Sequence, residues 1–184
     1  MPARRPAVFL DRDGVVNRAI VRNGRPYPPA SVQELEILPG VAAAIAALRH
    51  AGFAIVIVTN QPDVARGATS RAAVDAIHQR LREELAIDSI EVCWHDDADG
   101  CSCRKPRPGL ILAAARALRL DLRRSVLVGD RWKDIAAGKQ AGVATVLIDY
   151  RYAETAPPSA PAPDLVVGSL AEALPWIVTR ARSR

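Results

Sequence analysis

Two aspartates close an apolar run near the start of the chain, in "VFLDRDGVVN", Val8 to Asn17. Like charges two residues apart at the end of a buried strand are costly unless a cation or a reaction requires them. If the strand stays extended, Asp11 and Asp13 project to one side, and Gly14 then lets the backbone turn. One carboxylate can attack phosphorus to give an aspartyl phosphate. The other can protonate the leaving alcohol and later deprotonate the hydrolytic water. A hard, oxygen-preferring divalent cation, Mg²⁺ by default, would join Asp11 to a further carboxylate such as Asp130 and relieve the repulsion between anions.

Groups of matching chemistry follow in order along the chain. Thr59 and Asn60 end "AIVIVTN", where a hydroxyl and the next backbone N–H groups can grip a phosphoryl oxygen. Lys105, in "CRKPRPG", offers a point charge as negative charge gathers on that group. "VGDRWKD" supplies Asp130 for the metal, with Asp134 one helical turn on as an orienting carboxylate. Each is bland alone, since Asp-x-Asp-Gly can be a surface turn and most lysines are solvated. The argument lies in their conjunction and order.

A second cluster, "CWHDDADGCSC", sets Cys93, His95, Cys101 and Cys103 in a C-x-H-x5-C-x-C pattern over residues 93–103. Three thiolates and an imidazole make a closed tetrahedral set for structural Zn²⁺. Cys103 stands two residues before Lys105, so the metal would clamp the loop that aims Arg104 and Lys105 at the phosphate. His50 and His78 sit in helical patterns and are assigned to surfaces or helix ends.

The elements that must position these groups alternate along the chain. Apolar, β-branched runs ("AVFL", "FAIVIVTN", "SIEVCW", "SVLVGD", "ATVLID") are separated by helical patterns such as "GVAAAIAALRHAG" and "SRAAVDAIHQRLREELAI". This order predicts an α/β fold: a three-layer, Rossmann-like parallel sheet with helices on both faces. Ser70 opens one helix, and Gly52 and Gly142 close two others. "AETAPPSAPAP", residues 153–163, is a Pro- and Ala-rich surface connector, followed by one more short strand and a closing helix. In such sheets the ligand lies beyond the carboxyl ends of the strands, where Asp11, Thr59, Asn60 and Asp130 all fall. Residues 1–184 read as one domain, with no room between motifs for a large cap domain.

"FLDRDGVVN", "VTN", "RKPRPG" and "VGDRWKD" together closely resemble the four motifs of the haloacid dehalogenase-like phosphohydrolase superfamily, over nearly the whole chain. The resemblance implies Asp11 as nucleophile, Asp13 as general acid/base, and Thr59 and Lys105 as phosphate ligands. It also implies Mg²⁺ held by Asp11, the Asp13 carbonyl and Asp130. Within the superfamily, a zinc loop leading into "CRKP" is similar to the heptose 1,7-bisphosphate 7-phosphatase and histidinol-phosphatase family. Asn17 in "DRDGVVN", and Arg66 and Gly67 in "TNQPDVARG", resemble the heptose branch. The short zinc loop resembles the histidinol branch. A sugar bisphosphate leaves a second phosphate to hold, for which Arg66, Arg104 and Arg131 are candidates, since guanidinium groups bind phosphate through two donors. The implied reaction is removal of the 7-phosphate of D-glycero-D-manno-heptose 1,7-bisphosphate, with histidinol phosphate as the alternative substrate.

Composition bounds the other classes. The chain has 184 residues, 49% hydrophobic and only 4% aromatic, which disfavours a stacking platform for single-stranded nucleic acid. The formal charge is +5 and the pI near 9.6. The densest basic knots, "PARRP" and "TRARSR", lie at the termini, and no concentrated stripe marks a nucleic-acid end phosphatase. A non-catalytic zinc module would have no need of Asp11, Asp13, Thr59, Lys105 and Asp130 together. The N-terminus fits neither a signal peptide nor a membrane span, so a cytoplasmic, monomeric enzyme with a small phosphorylated substrate is expected.

Overall fold

The computed structural model describes residues 4–182. The terminal basic knots therefore extend partly outside the described residues. Six parallel strands form the central sheet: β1 (Ala7–Leu10), β4 (Ala54–Asn60), β5 (Ser89–Cys93), β6 (Val126–Gly129), β7 (Ala144–Ile148) and β8 (Leu165–Val167). A separate antiparallel hairpin, β2 (Ile20–Arg22) with β3 (Arg25–Tyr27), follows β1. The helices are α1 (Val41–His50), α2 (Pro62–Ala65), α3 (Arg71–Glu84), α4 (Gly109–Ala117), α5 (Trp132–Ala141) and α6 (Leu170–Arg182). Among the described residues no helix is long and apolar enough to cross a membrane.

The strand order is β5-β4-β1-β6-β7-β8. β1 pairs with β4 on one side, Leu10 opposite Ile57, and with β6 on the other, Leu10 opposite Val128. The direction of winding reverses there, so a crevice opens at the carboxyl ends of β1 and β6.

Side chains alternate across the sheet and divide the core in two. Val8 and Leu10 pack with Ile45 and Leu48 of α1, Ile77 and Leu81 of α3, and Ile177 of α6. Ala7 and Phe9 pack on the other face with Ile111 and Ala114 of α4 and Ala137 of α5. Burying each large aliphatic side chain is worth about 1.5–3 kcal/mol, which makes the strand ends firm mounts for polar groups.

Two local features differ from the sequence expectation. The β2–β3 hairpin is not anticipated by the apolar runs, although Asn23-Gly24 carries its signal: both have positive φ, 51° and 73°, as a tight two-residue hairpin turn requires. His78 lies within α3 and is buried, not at a surface or helix end. His50 does end α1.

Candidate active site

Asp11 follows β1 directly, and its N–H donates to Val128 O at 2.9 Å, continuing the ladder with β6. Asp130 follows β6, and Asp134 lies in the first turn of α5. Oxygens of Asp11, Asp130 and Asp134 lie within 4.8 Å of one another, and all three residues are buried. Lys105 reaches this cluster at 3% exposure. Its ammonium donates to Asp11 Oδ1 at 2.7 Å and Val58 O at 2.8 Å and pairs with Asp134 Oδ1 at 2.6 Å. Burial works against the Lys105 charge, but Asp11 and Asp134 outweigh it and raise its pKa. Burial pushes the Asp11 carboxyl up to about 6 against the pull of Lys105, with Asp134 and Asp13 adding to the rise.

The strand does not stay extended to Asp13: β1 ends at Leu10 and the chain bends at Arg12. Asp11 and Asp13 nevertheless line the same cavity. Arg12, 0% exposed, forks onto Asp13 with Nε to Oδ1 at 3.1 Å and Nη2 to Oδ2 at 3.0 Å. Its third nitrogen meets His78 Nε2 at 3.0 Å. Burial, then the Arg12 charge, depresses the His78 pKa to about 3, so the ring is neutral and accepts from Arg12. Asp13 also accepts from Gln61 Nε2 and Asn17 Nδ2, each at 3.0 Å. Thus the like charges at the strand end are matched by protein cations, Lys105 for Asp11 and Arg12 for Asp13.

Arg12, Gln61 and His78 escape the sequence reading, because an arginine between two aspartates looks solvated and nothing in its flanks marks burial. One expected substrate group takes another place. Asn17 is fully buried and is absent from the cavity wall; its amide orients Asp13 instead. Thr59 is 1% exposed, and its Oγ1 accepts from Gln61 Nε2 at 2.8 Å. Asn60 lines the cavity, with both ends of its amide on the Lys105 main chain.

The cavity, about 620 Å³, also takes Arg25 and Tyr27 from the hairpin, Asp63 and Arg66 from the β4–α3 region, Arg104 beside Lys105, Arg131 and Lys133 at α5, and Glu154. The three arginines expected at a phosphate are all present, each already matched to acid. Arg66 pairs with Asp63, Asp96 and Asp97. Arg104 donates to Asp97 Oδ1 at 2.8 Å. Arg131 forks onto Glu154, with Nε to Oε2 at 2.6 Å.

The acidic cluster fits a hard cation. Neither Asp130 oxygen has a partner at hydrogen-bond geometry; the nearby Tyr152 hydroxyl pulls the Asp130 pKa down only in part. Burial, with Asp11 and Asp134 alongside, raises that pKa well above the carboxylate range, and an orphaned buried carboxylate of this kind is what a divalent ion satisfies. A Cβ on Gly14, at φ +88°, would fall 2.0 Å from Asp130 Oδ2, so glycine leaves the carboxylate its place. Asp134 is committed elsewhere: besides Lys105, its Oδ2 accepts from Arg131 N at 3.1 Å.

The Cys/His cluster fits a tetrahedral ion as well. Cys93 Sγ is 3.6 Å from His95 Nδ1, 3.7 Å from Cys101 Sγ and 3.2 Å from Cys103 Sγ. Cys103 Sγ is 3.3 Å from His95 Nδ1 and 3.4 Å from Cys101 Sγ. Edges of about 3.7 Å are what Zn–S bonds of about 2.3 Å produce in a tetrahedron.

Comparison with known proteins agrees with this geometry. The HAD-hydrolase-like family model matches residues 102–173. The D-glycero-beta-D-manno-heptose-1,7-bisphosphate 7-phosphatase of Rhodopseudomonas palustris is 40% identical, across 76% of this chain and 81% of that one. The D-glycero-D-manno-heptose-1,7-bisphosphate 7-phosphatase of Thermosynechococcus vestitus is 36% identical, across 98% and 99%. The crystal structure of D,D-heptose 1,7-bisphosphate phosphatase from B. bronchiseptica, complexed with magnesium and phosphate, superposes with a TM-score of 0.81 at 34% identity, covering 96% of this chain and 99% of that one. Shared over almost their full length with such relatives, the sequence and the parallel sheet that carries Asp11, Lys105 and Asp130 show that the chain belongs to the D-glycero-D-manno-heptose-1,7-bisphosphate 7-phosphatase family of HAD-like phosphatases.

Proposed function

We propose that this protein removes the 7-phosphate of D-glycero-D-manno-heptose 1,7-bisphosphate in a Mg²⁺-dependent reaction that passes through an aspartyl phosphate on Asp11. The observation that carries the reading is the pairing of Asp11 Oδ1 with the buried Lys105 ammonium at 2.7 Å, beside the unpartnered carboxylate of Asp130.

Asp11 attacks the phosphorus and the bond from phosphorus to the sugar oxygen breaks. Asp13, oriented by Arg12, Gln61 and Asn17, gives its proton to that oxygen. It then takes a proton from the water that attacks the phosphoaspartate, which releases phosphate and restores the Asp11 carboxylate. Lys105 meets the charge that gathers on the transferring group, and the Thr59 hydroxyl, which accepts from Gln61 and keeps its own proton, supplies a further donor.

Asp11, the Asp13 carbonyl and Asp130 would hold Mg²⁺, which when bound neutralises charge on the phosphoryl group. Cys93, His95, Cys101 and Cys103 would hold Zn²⁺ as a positioning clamp on the Arg104-Lys105 loop. Arg66, Arg104 and Arg131 serve the second phosphate of the sugar. The enzyme acts as a cytoplasmic monomer of one domain.

The test is phosphate release with Mg²⁺ on both anomers of heptose 1,7-bisphosphate and on histidinol phosphate, with Asp11→Asn as the blank. A kcat/KM for the bisphosphate higher by orders of magnitude is expected. A preference for histidinol phosphate would overturn the substrate assignment, and activity retained by Asp11→Asn would overturn the mechanism.

A further inference from the structure

Glu154 stands in the connector after β7, in a stretch without helix or strand, yet it lines the cavity with Asp11 and Lys105. Its carboxylate occupies two donors of Arg131, Nε and Nη2. Arg131 is firmly based: its N–H is capped by Asp134 at 3.1 Å, at the start of α5. Glu154 is carried by an irregular stretch tied to the hairpin turn, where Ala153 N–H donates to Gly24 O at 2.8 Å, and its carboxylate also lies beside Trp132 and Lys133. Arg104 is matched by Asp97 of the zinc loop, and Arg66 by Asp96 and Asp97 of that loop, where Asp96 and Asp99 close a capping box, and by Asp63 of the short α2 at 3.4 Å. Of the carboxylates paired with Arg66, Arg104 and Arg131, Glu154 is thus the one that stands in neither a helix nor the capped loop.

We propose that Glu154 is a displaceable counter-ion for Arg131, driven off by the distal phosphate of the substrate and returning to Arg131 to expel the dephosphorylated product. The inference rests on the reading that the substrate is a sugar bisphosphate. Its product keeps one phosphate, so a subsite that grips the substrate there grips the product equally, and such uniform binding slows turnover without aiding chemistry. A tethered carboxylate that competes for the same guanidinium weakens that grip and replaces the departing anion.

The test measures inhibition of the Mg²⁺-loaded enzyme by heptose 1-phosphate and by inorganic phosphate, in the wild type, Glu154→Gln and Glu154→Asp. Losing the competing charge is expected to lower the inhibition constant of heptose 1-phosphate about fivefold in Glu154→Gln. The constant for inorganic phosphate stays in place, and Glu154→Asp, which keeps the charge, remains closer to wild type. A heptose 1-phosphate constant that is unchanged or raised, or an equal fall for both inhibitors, overturns the proposal. Wild-type indifference between heptose 1,7-bisphosphate and heptose 7-phosphate sinks the substrate reading and this inference with it. A clear bisphosphate preference with an unmoved constant sinks the inference alone.

Discussion

The side-chain amide of Asn60 closes on the main chain of Lys105 from both ends: Nδ2 donates to the Lys105 carbonyl at 3.0 Å, and the Lys105 N–H donates to Oδ1 at 3.1 Å. The end of β4 thereby sets the height of the lysine whose ammonium meets Asp11. Asn60→Ala removes both bonds, at a cost to stability of about 1–3 kcal/mol. A misplaced Lys105 lowers kcat/KM by about 10–100-fold. Steady-state kinetics beside urea unfolding checks both, and wild-type kcat/KM in a folded variant would contradict the clamp.

His78 makes stability depend on acid. Its ring is neutral in the folded and unfolded chain above its ordinary pKa of 6.5, and its contribution is complete there. As the pH falls from 6.5 toward about 3, only the unfolded chain takes up the proton, so stability is lost as the pH falls. At pH 5 the loss amounts to about 2 kcal/mol. His78→Gln keeps an acceptor for Arg12 without the titration, so its unfolding free energy falls less between pH 7.5 and pH 5 than that of the wild type.

Gly14 cannot be replaced cheaply. Alanine at φ +88° would bring its Cβ to 2.0 Å from Asp130 Oδ2, in a backbone region that costs a side chain about 1–3 kcal/mol. Gly14→Ala is expected to raise the Mg²⁺ concentration for half-maximal activity by about tenfold or more, because Asp130 must move. A Mg²⁺ titration that superposes on the wild-type curve would remove Asp130 from the metal site.

Zinc binding predicts one zinc per chain by elemental analysis. Its removal by a chelator, or Cys101→Ser, lowers Tm by about 10 °C. Activity falls on every phosphate substrate even with Mg²⁺ restored, since the loop that ends in Lys105 loses its clamp. A chelated protein with unchanged Tm and full activity would show that the four side chains hold no structural ion.

The parallel sheet, the polar groups at its carboxyl edge and the Cys/His set were legible in the sequence because each is a local pattern. Apolar runs, their polar last residues and ligand spacing are all printed within a few positions. Asp11, Asp130, Lys105 and the four Cys and His residues lie where those patterns lead. The partners of the charges were not legible. Lys105 meets Asp11 across 94 positions, Arg12 meets His78 across 66, and Arg131 meets Glu154 across 23. Even neighbours were opaque: Arg12 beside Asp13 reads as solvated until the sheet and α3 enclose it, and only then must its charge fork onto that carboxylate. Side-chain type and spacing determined which chemistry the chain can carry; burial determined which cation answers which acid, because the energy of a charge depends on everything that folds around it.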